Sequence, residues 1–255
     1  MENKKRVKYE KNPLVEVIFQ LRFPTILSIN KIQPADYQER VRTRYPFFQD
    51  NTEQQNEVII GPNGPQQIKT SQNKNYSFIS ANNKYKINLT STFIAVSTLS
   101  YTQWEDFIKE IEYAIVPFEE IYKPSFYIRV GLRYVDVISR SKLGLNDKKW
   151  SELIQPQVLG IVTDEIEDGV NSYLMETDFK CKDGTNAKHH FELVNTEGSN
   201  EVSFLIDSDY FSIGTIKIDD VKNISEKLHI NSGNFLAKTI KSELEVAMEP
   251  VNIES

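Results

Sequence analysis

The chain has 255 residues, 39% hydrophobic and 26% charged, which is the composition of a globular protein and excludes a largely disordered one. Its formal net charge of -6 argues against a broad nucleic-acid surface, which requires clustered positive charge. Cys181 is the sole cysteine, so no intrachain disulfide forms, and no apolar run approaches the length of a membrane span or a secretory signal. A cytoplasmic protein is expected. The basic run Lys4, Lys5, Arg6, Lys8 and Lys11 is interrupted by Glu10 and reads as a solvated arm.

Residues 14–23 alternate as a strand, with Val15, Val17, Phe19, Leu21 and Phe23 on one parity and Glu16, Gln20 and Arg22 on the other. Residues 34–45 follow as a helix opened by Pro34 and stopped by Pro46. Residues 51–67 are polar and contain Gly61, Pro62, Gly64 and Pro65, which predicts a surface turn or loop between short strands. Residues 76–81, 85–89 and 93–99 read as consecutive short strands, closely spaced enough to favour an antiparallel meander.

A broad apolar stripe beginning at Trp104 and continuing through Phe107, Ile111, Ile115, Phe118 and Tyr122 predicts a long helix that needs a sheet to cover. Pro117 is expected to kink or restart it. Residues 126–138 form the next strand, in which Ile128, Val130, Leu132 and Tyr134 alternate with Arg129, Gly131 and Arg133. A small helix at 150–154, strands at 173–179, 189–196 and 201–210, and helices at 219–227 and 233–248 complete the chain. Ser232 is the expected cap of the last helix. Phe19, Trp104, Phe107, Ile111, Leu132 and Phe235 are the expected core anchors.

The fold class is therefore α+β, with antiparallel sheets backed by long helices. Residues 1–124 and 125–255 can each be written as β-α-β(3–4)-α, packed as one compact unit. A duplicated unit and a single continuous sheet both satisfy this order.

Pro13, Leu14, Glu16 and Val17 in the first strand, and Leu132, Arg133 and Tyr134 in the later one, form motifs by which the chain resembles a sporadically distributed family of uncharacterised bacterial proteins. The resemblance extends through Tyr101 and Trp104 to the final helix. It implies no particular reaction, cofactor or partner. The sporadic distribution points to accessory or phage-defence biology.

Glu16, Arg22, Arg129 and Arg133 are the charged strand residues of most interest. If the two opening strands are neighbours, Glu16 pairs with Arg129 or Arg133 in a structural network. Alternatively the guanidinium groups offer bidentate donors to a small anionic ligand, with Tyr134 and Asp136 lining the same site. His189 and His190 are adjacent in a strand and so point to opposite faces. Cys181 is eight residues from His189 across a glycine turn, without the spacing of a zinc site. Residues 164–168 (DEIED) read as a solvated acidic loop, Asp207 and Asp209 as a strand-end turn, and GPNGP at 61–65 as a turn without the lysine of a phosphate loop.

No catalytic set, metal site or cofactor motif emerges. The leading expectation is a binding or adaptor protein with an unknown protein partner and an exposed apolar or aromatic patch. An enzyme or ligand sensor would instead gather Arg133, Glu16 or His189 in a closed pocket. Single-stranded nucleic-acid binding would need stacking aromatics beside a basic stripe. Oligomeric state is left open.

Overall fold

The computed structural model describes residues 7–61, 64–195 and 201–252. The N-terminal half supplies β1 (Val7–Tyr9), β2 (Leu14–Arg22), α1 (Leu27–Lys31), α2 (Ala35–Val41), β3 (Phe47–Gly61), β4 (Gly64–Ile79), β5 (Tyr85–Leu89), β6 (Phe93–Thr98) and α3 (Trp104–Tyr122). The C-terminal half supplies β7 (Tyr127–Ile138), α4 (Arg140–Leu143), α5 (Trp150–Leu153), α6 (Pro156–Leu159), β8 (Leu174–Lys180), β9 (Asn186–Asn195), β10 (Val202–Ile216), α7 (Val221–Thr239), α8 (Ser242–Ala247) and β11 (Pro250–Asn252).

Nine strands form one antiparallel sheet in the order β3-β4-β5-β6-β2-β7-β10-β9-β8, and β1 pairs separately with β11. The opening strands β2 and β7 are neighbours at the junction of the halves, with Phe19 opposite Leu132 and Ile18 opposite Arg133. Outward from each, the remaining strands of that half follow in reverse chain order. The sheet is continuous across the two halves.

One sheet face is covered. Val17, Phe19, Leu21, Ile87, Val96, Val130 and Leu132 are buried in one cluster with Trp104, Phe107, Ile111 and Phe118 of α3 and Leu228 of α7. Phe191, Phe204 and Ile206 bury a second cluster with Trp150, Leu153 and Leu244. Phe235, half-buried, touches both. The helices gather here because strand alternation places the apolar parity of each strand on this side. None of the described helices is long and apolar enough to cross a membrane.

Three expectations are corrected. The helix α3 does not restart at Pro117 but runs through it as one element of 19 residues, with the proline buried. It ends at Lys123 with φ 47°. Residues 221–239 form a single helix, so Ser232 and Gly233 are interior, and the break falls at Ile240, which bridges to Ile154. Residues 47–61 and 64–79 pair as one antiparallel hairpin that passes from strand to strand between Gly61 and Gly64, where a turn is expected, but the strands are long and not short. Residues 62 and 63 of GPNGP, like Lys4, Lys5 and Arg6, lie outside the described residues.

Candidate functional site

The opposite sheet face is not covered by either hydrophobic cluster. It presents Glu16, Ile18, Gln20 and Arg22 from β2, Arg129, Gly131, Arg133 and Val135 from β7, and Asp207, Asp209, Phe211 and Ile213 from β10. Beside β10, Lys188 and His190 of β9 continue the face. Its charges pair along diagonals of the sheet. Arg133 is in register with Asp209, yet its Nε and Nη2 donate to Asp207 at 2.7 and 2.5 Å. Arg129 Nη2 donates to both Asp209 oxygens at 2.7 Å, and its Nη1 donates to Gln20 Oε1 at 3.3 Å.

The Arg129 guanidinium lies 4.8 Å from the Phe211 ring centroid, above Gly131. A Cβ at position 131 would stand 2.0 Å from Nη1, so glycine is what lets the arginine lie flat on the sheet. Desolvation pushes the Asp209 carboxyl above its ordinary range, and the Arg129 charge pulls it back. Arg133 is held more strongly protonated by its hydrogen bonds to Asp207.

The pairing partner expected from the sequence is thereby corrected. Glu16 faces Val135, past a bulge in β2, and the carboxylates that bind the arginines come from β10. Asp207 and Asp209 are not a strand-end turn, because β10 continues to Ile216. Arg22 is exposed opposite Arg129, and no carboxylate of the described residues pairs with it. Because the Arg133 side chain is 45% exposed, the cycle formed by Arg133→Met and Asp207→Asn should show coupling below about 1 kcal/mol. Urea denaturation of the four proteins measures it.

Tyr134, Asp136 and His189 occupy the other face, since strand alternation separates them from Arg129 and Arg133. They cannot line a site built on those arginines. Tyr134 shares a hydrogen bond of 2.8 Å with His229 Nδ1, and burial holds its hydroxyl protonated. The His229 ring stacks on Trp104 at 4.7 Å, and Trp104 Nε1 donates to Glu226 at 2.7 Å. This polar link ties α7 to α3 and the sheet. His229 falls between the helices expected at 219–227 and 233–248, so periodicity gives it no face, whereas the single helix α7 turns it toward Trp104.

His189 is fully buried between Tyr210 and Phe235, and burial lowers its pKa to about 4. Among the described residues, neither ring nitrogen, nor Asp136 Oδ1, nor the Tyr210 hydroxyl has a hydrogen-bond partner. Desolvation raises the Asp136 carboxyl from 3.8 to about 7. An acid with a raised folded-state pKa contributes stability below its unfolded pKa and loses it as pH rises through the folded value. The Asp136→Asn variant should therefore gain stability relative to the parent between pH 4.5 and pH 8. Parallel urea curves at the two pH values test this, and an unchanged difference would show that Asp136 is not desolvated.

Cys181 stays in the turn before β9, where its amide donates to Thr185. Desolvation raises its thiol pKa, the reverse of what activates a nucleophile. Glu167 is corrected from a solvated loop residue to a buried one. It accepts bonds from Arg140 Nη1 at 2.8 Å and the Trp150 amide at 2.7 Å, pinning the 164–168 loop to α5. Among the described residues, no group of three or more His, Cys, Asp or Glu side chains is placed to hold a metal ion.

No family model matches the chain, and no curated protein is found to be similar to it.

Proposed function

We propose that this chain is a protein-binding adaptor that offers the uncovered face of its nine-stranded sheet to a partner. The observation carrying the reading is that the packed helices gather on one face, while the other presents a broad surface whose Arg129 and Arg133 are already held by Asp209 and Asp207. Such a surface is rigid and charge-patterned, so it suits recognition by a folded partner. The Arg129 and Arg133 forks are occupied, which weighs against the alternative of a free anion captured between them. Ile213, 63% exposed at the end of β10, adds the apolar contact that an interface centre requires.

Photo-crosslinking residues placed at Lys188, Ile213 and, as a control on the helical side, Glu112 test the reading in cells. Adducts with one protein from positions 188 and 213, absent from 112, are the expected result. Adducts equally frequent from 112, or absent everywhere, would sink it.

A further inference from the structure

We propose that the partner seats an acidic loop in a groove along β6 on the uncovered face, between Lys86 of β5 and Arg22 of β2. The inference rests on the adaptor reading above and names the chemistry of the partner and the part of the face that receives it.

Register places the groove. Ile94 and Val96 of β6 belong to the covered cluster, so Phe93, Ala95 and Ser97 take the opposite face. There Ala95 lies between Asn88 of β5 and Gln20 of β2, and Ser97 lies between Lys86 and Ile18. Each small residue is thus flanked on both sides by a longer one. Ala95 is 7% exposed and Ser97 8%, although neither hydrophobic cluster covers this side. The long neighbours overhang them, and the surface dips along β6. Phe93, opposite Arg22, closes one end. The walls on β5 and β2 stand two strand spacings apart, about 10 Å. A helix with its side chains is about that wide, so the tip of a loop reaches the floor and a helix does not.

Charge and hydrogen bonding give the occupant its chemistry. Lys86 and Arg22 are both exposed, and neither has a carboxylate partner among the described residues. Two strand spacings and four residues of rise separate them, about 16 Å at the backbone. The cations on the next strand differ: Arg129 and Arg133 are held by Asp209 and Asp207, and the charge of Glu16 on β2 acts on Arg133. The groove therefore carries positive charge that its own chain leaves unneutralised. Its floor also holds an unmatched polar group. The Ser97 hydroxyl forms no hydrogen bond among the described residues, buried as the side chain is. A carboxylate or peptide group lying in the groove would supply one. The Asn88 amide is committed to Asn75 and Ser77, at 2.9 and 2.8 Å, so that wall is fixed. Two cations do not form the basic stripe that a phosphate backbone requires, and the chain as a whole is acidic. Carboxylates on a protein loop are the charge that matches.

Two cyclic eight-residue peptides are the probes, one with Asp-Glu-Asp at its turn and one with Lys at the same three positions. In NMR titrations of the full chain, the acidic peptide should shift the amides of Gln20, Lys86 and Ser97, and the lysine peptide should not. Lys86→Glu should weaken the acidic peptide about tenfold, and so should Arg22→Glu. Lys227→Glu makes the same change of charge at an exposed position of α7 and should leave binding unaltered. Ser97→Gln raises the floor without changing charge and should also weaken binding. The same spectra report whether each variant is folded. Equal shifts from both peptides overturn the proposal, as do shifts confined to β8, β9 and β10. A loss as large in Lys227→Glu overturns it too, since that reports only the net charge of the chain. Tighter binding of a ten-nucleotide oligothymidylate would assign the two cations to nucleic acid instead. If the acidic peptide fails while crosslinks from positions 188 and 213 persist, the groove proposal falls and the adaptor reading stands. If both fail, both fall.

Discussion

Alanine at Trp104 or at Phe107 is expected to destabilise the protein by about 3–5 kcal/mol each, because each removes a buried ring. The two side chains are 2% and 1% exposed at the start of α3. Phe107 meets Tyr101 edge-on at 5.9 Å, and Tyr101 in turn meets Tyr134 of the sheet at 5.9 Å. Trp104 adds a polar tether, through Glu226 and the stacked His229 of α7. Truncating it therefore opens a cavity and also frees the contact between the two long helices. Trp104→Phe keeps much of the apolar volume but loses the Nε1 donor, so it should fall between the parent and Trp104→Ala. Chemical denaturation decides the matter: losses below about 1 kcal/mol would mean that the neighbouring rings close the gap without cost.

The apolar stripe that predicts α3, and the alternation that predicts β2 and β7, were legible because each depends on period alone. Segments governed by tertiary context were not. The polar run of β3 and β4 has neither a clear alternation nor an apolar face, so its glycines and prolines dominate a local reading. The interior of α7 reads as a break at Asn231, Ser232 and Gly233, all poor helix formers. Leu228 is nevertheless buried in the core, and the Asn231 side chain donates to Asp183 at 2.9 Å and Thr185 at 3.1 Å. Contacts with the sheet and with the turn before β9 thus hold the helix through a stretch of weak propensity.

The candidate site was legible in its arginines and not in their partners. Strand parity separates Arg129 and Arg133 from the apolar face without any knowledge of topology. Which carboxylate reaches them depends on strand order and register, and neither is written in one strand's pattern. Adjacency of β2 and β7 made Glu16 a reasonable partner for Arg133. The other neighbour of β7 is β10, whose Asp207 and Asp209 bond the arginines directly, while Glu16, past the bulge, acts on Arg133 only through its charge.

That geometry gives a prediction in which one substitution reverses its sign. Gly131→Ala should destabilise the protein by about 1–3 kcal/mol, the range for disturbing a hydrogen bond to a charged group. The backbone is not the obstacle, because Gly131 is not among the glycines with positive φ. The obstacle is the Arg129 guanidinium, whose Nη1, Cζ and Nη2 would lie 2.0, 2.6 and 2.9 Å from the new Cβ. A free arginine would swing aside at little cost. Here it is fastened to Asp209 by two bonds and to Gln20 by a third, so moving it leaves a partly desolvated carboxylate without its counter-charge. In an Arg129→Ala background there is nothing left to displace. Gly131→Ala should then be neutral or stabilising by up to about 1 kcal/mol, since alanine loses less backbone freedom on folding than glycine. Urea denaturation of the parent, both single variants and the double variant measures the reversal directly. An equal loss in both backgrounds would place the clash elsewhere in the sheet, and Arg129 would no longer be the reason position 131 is glycine.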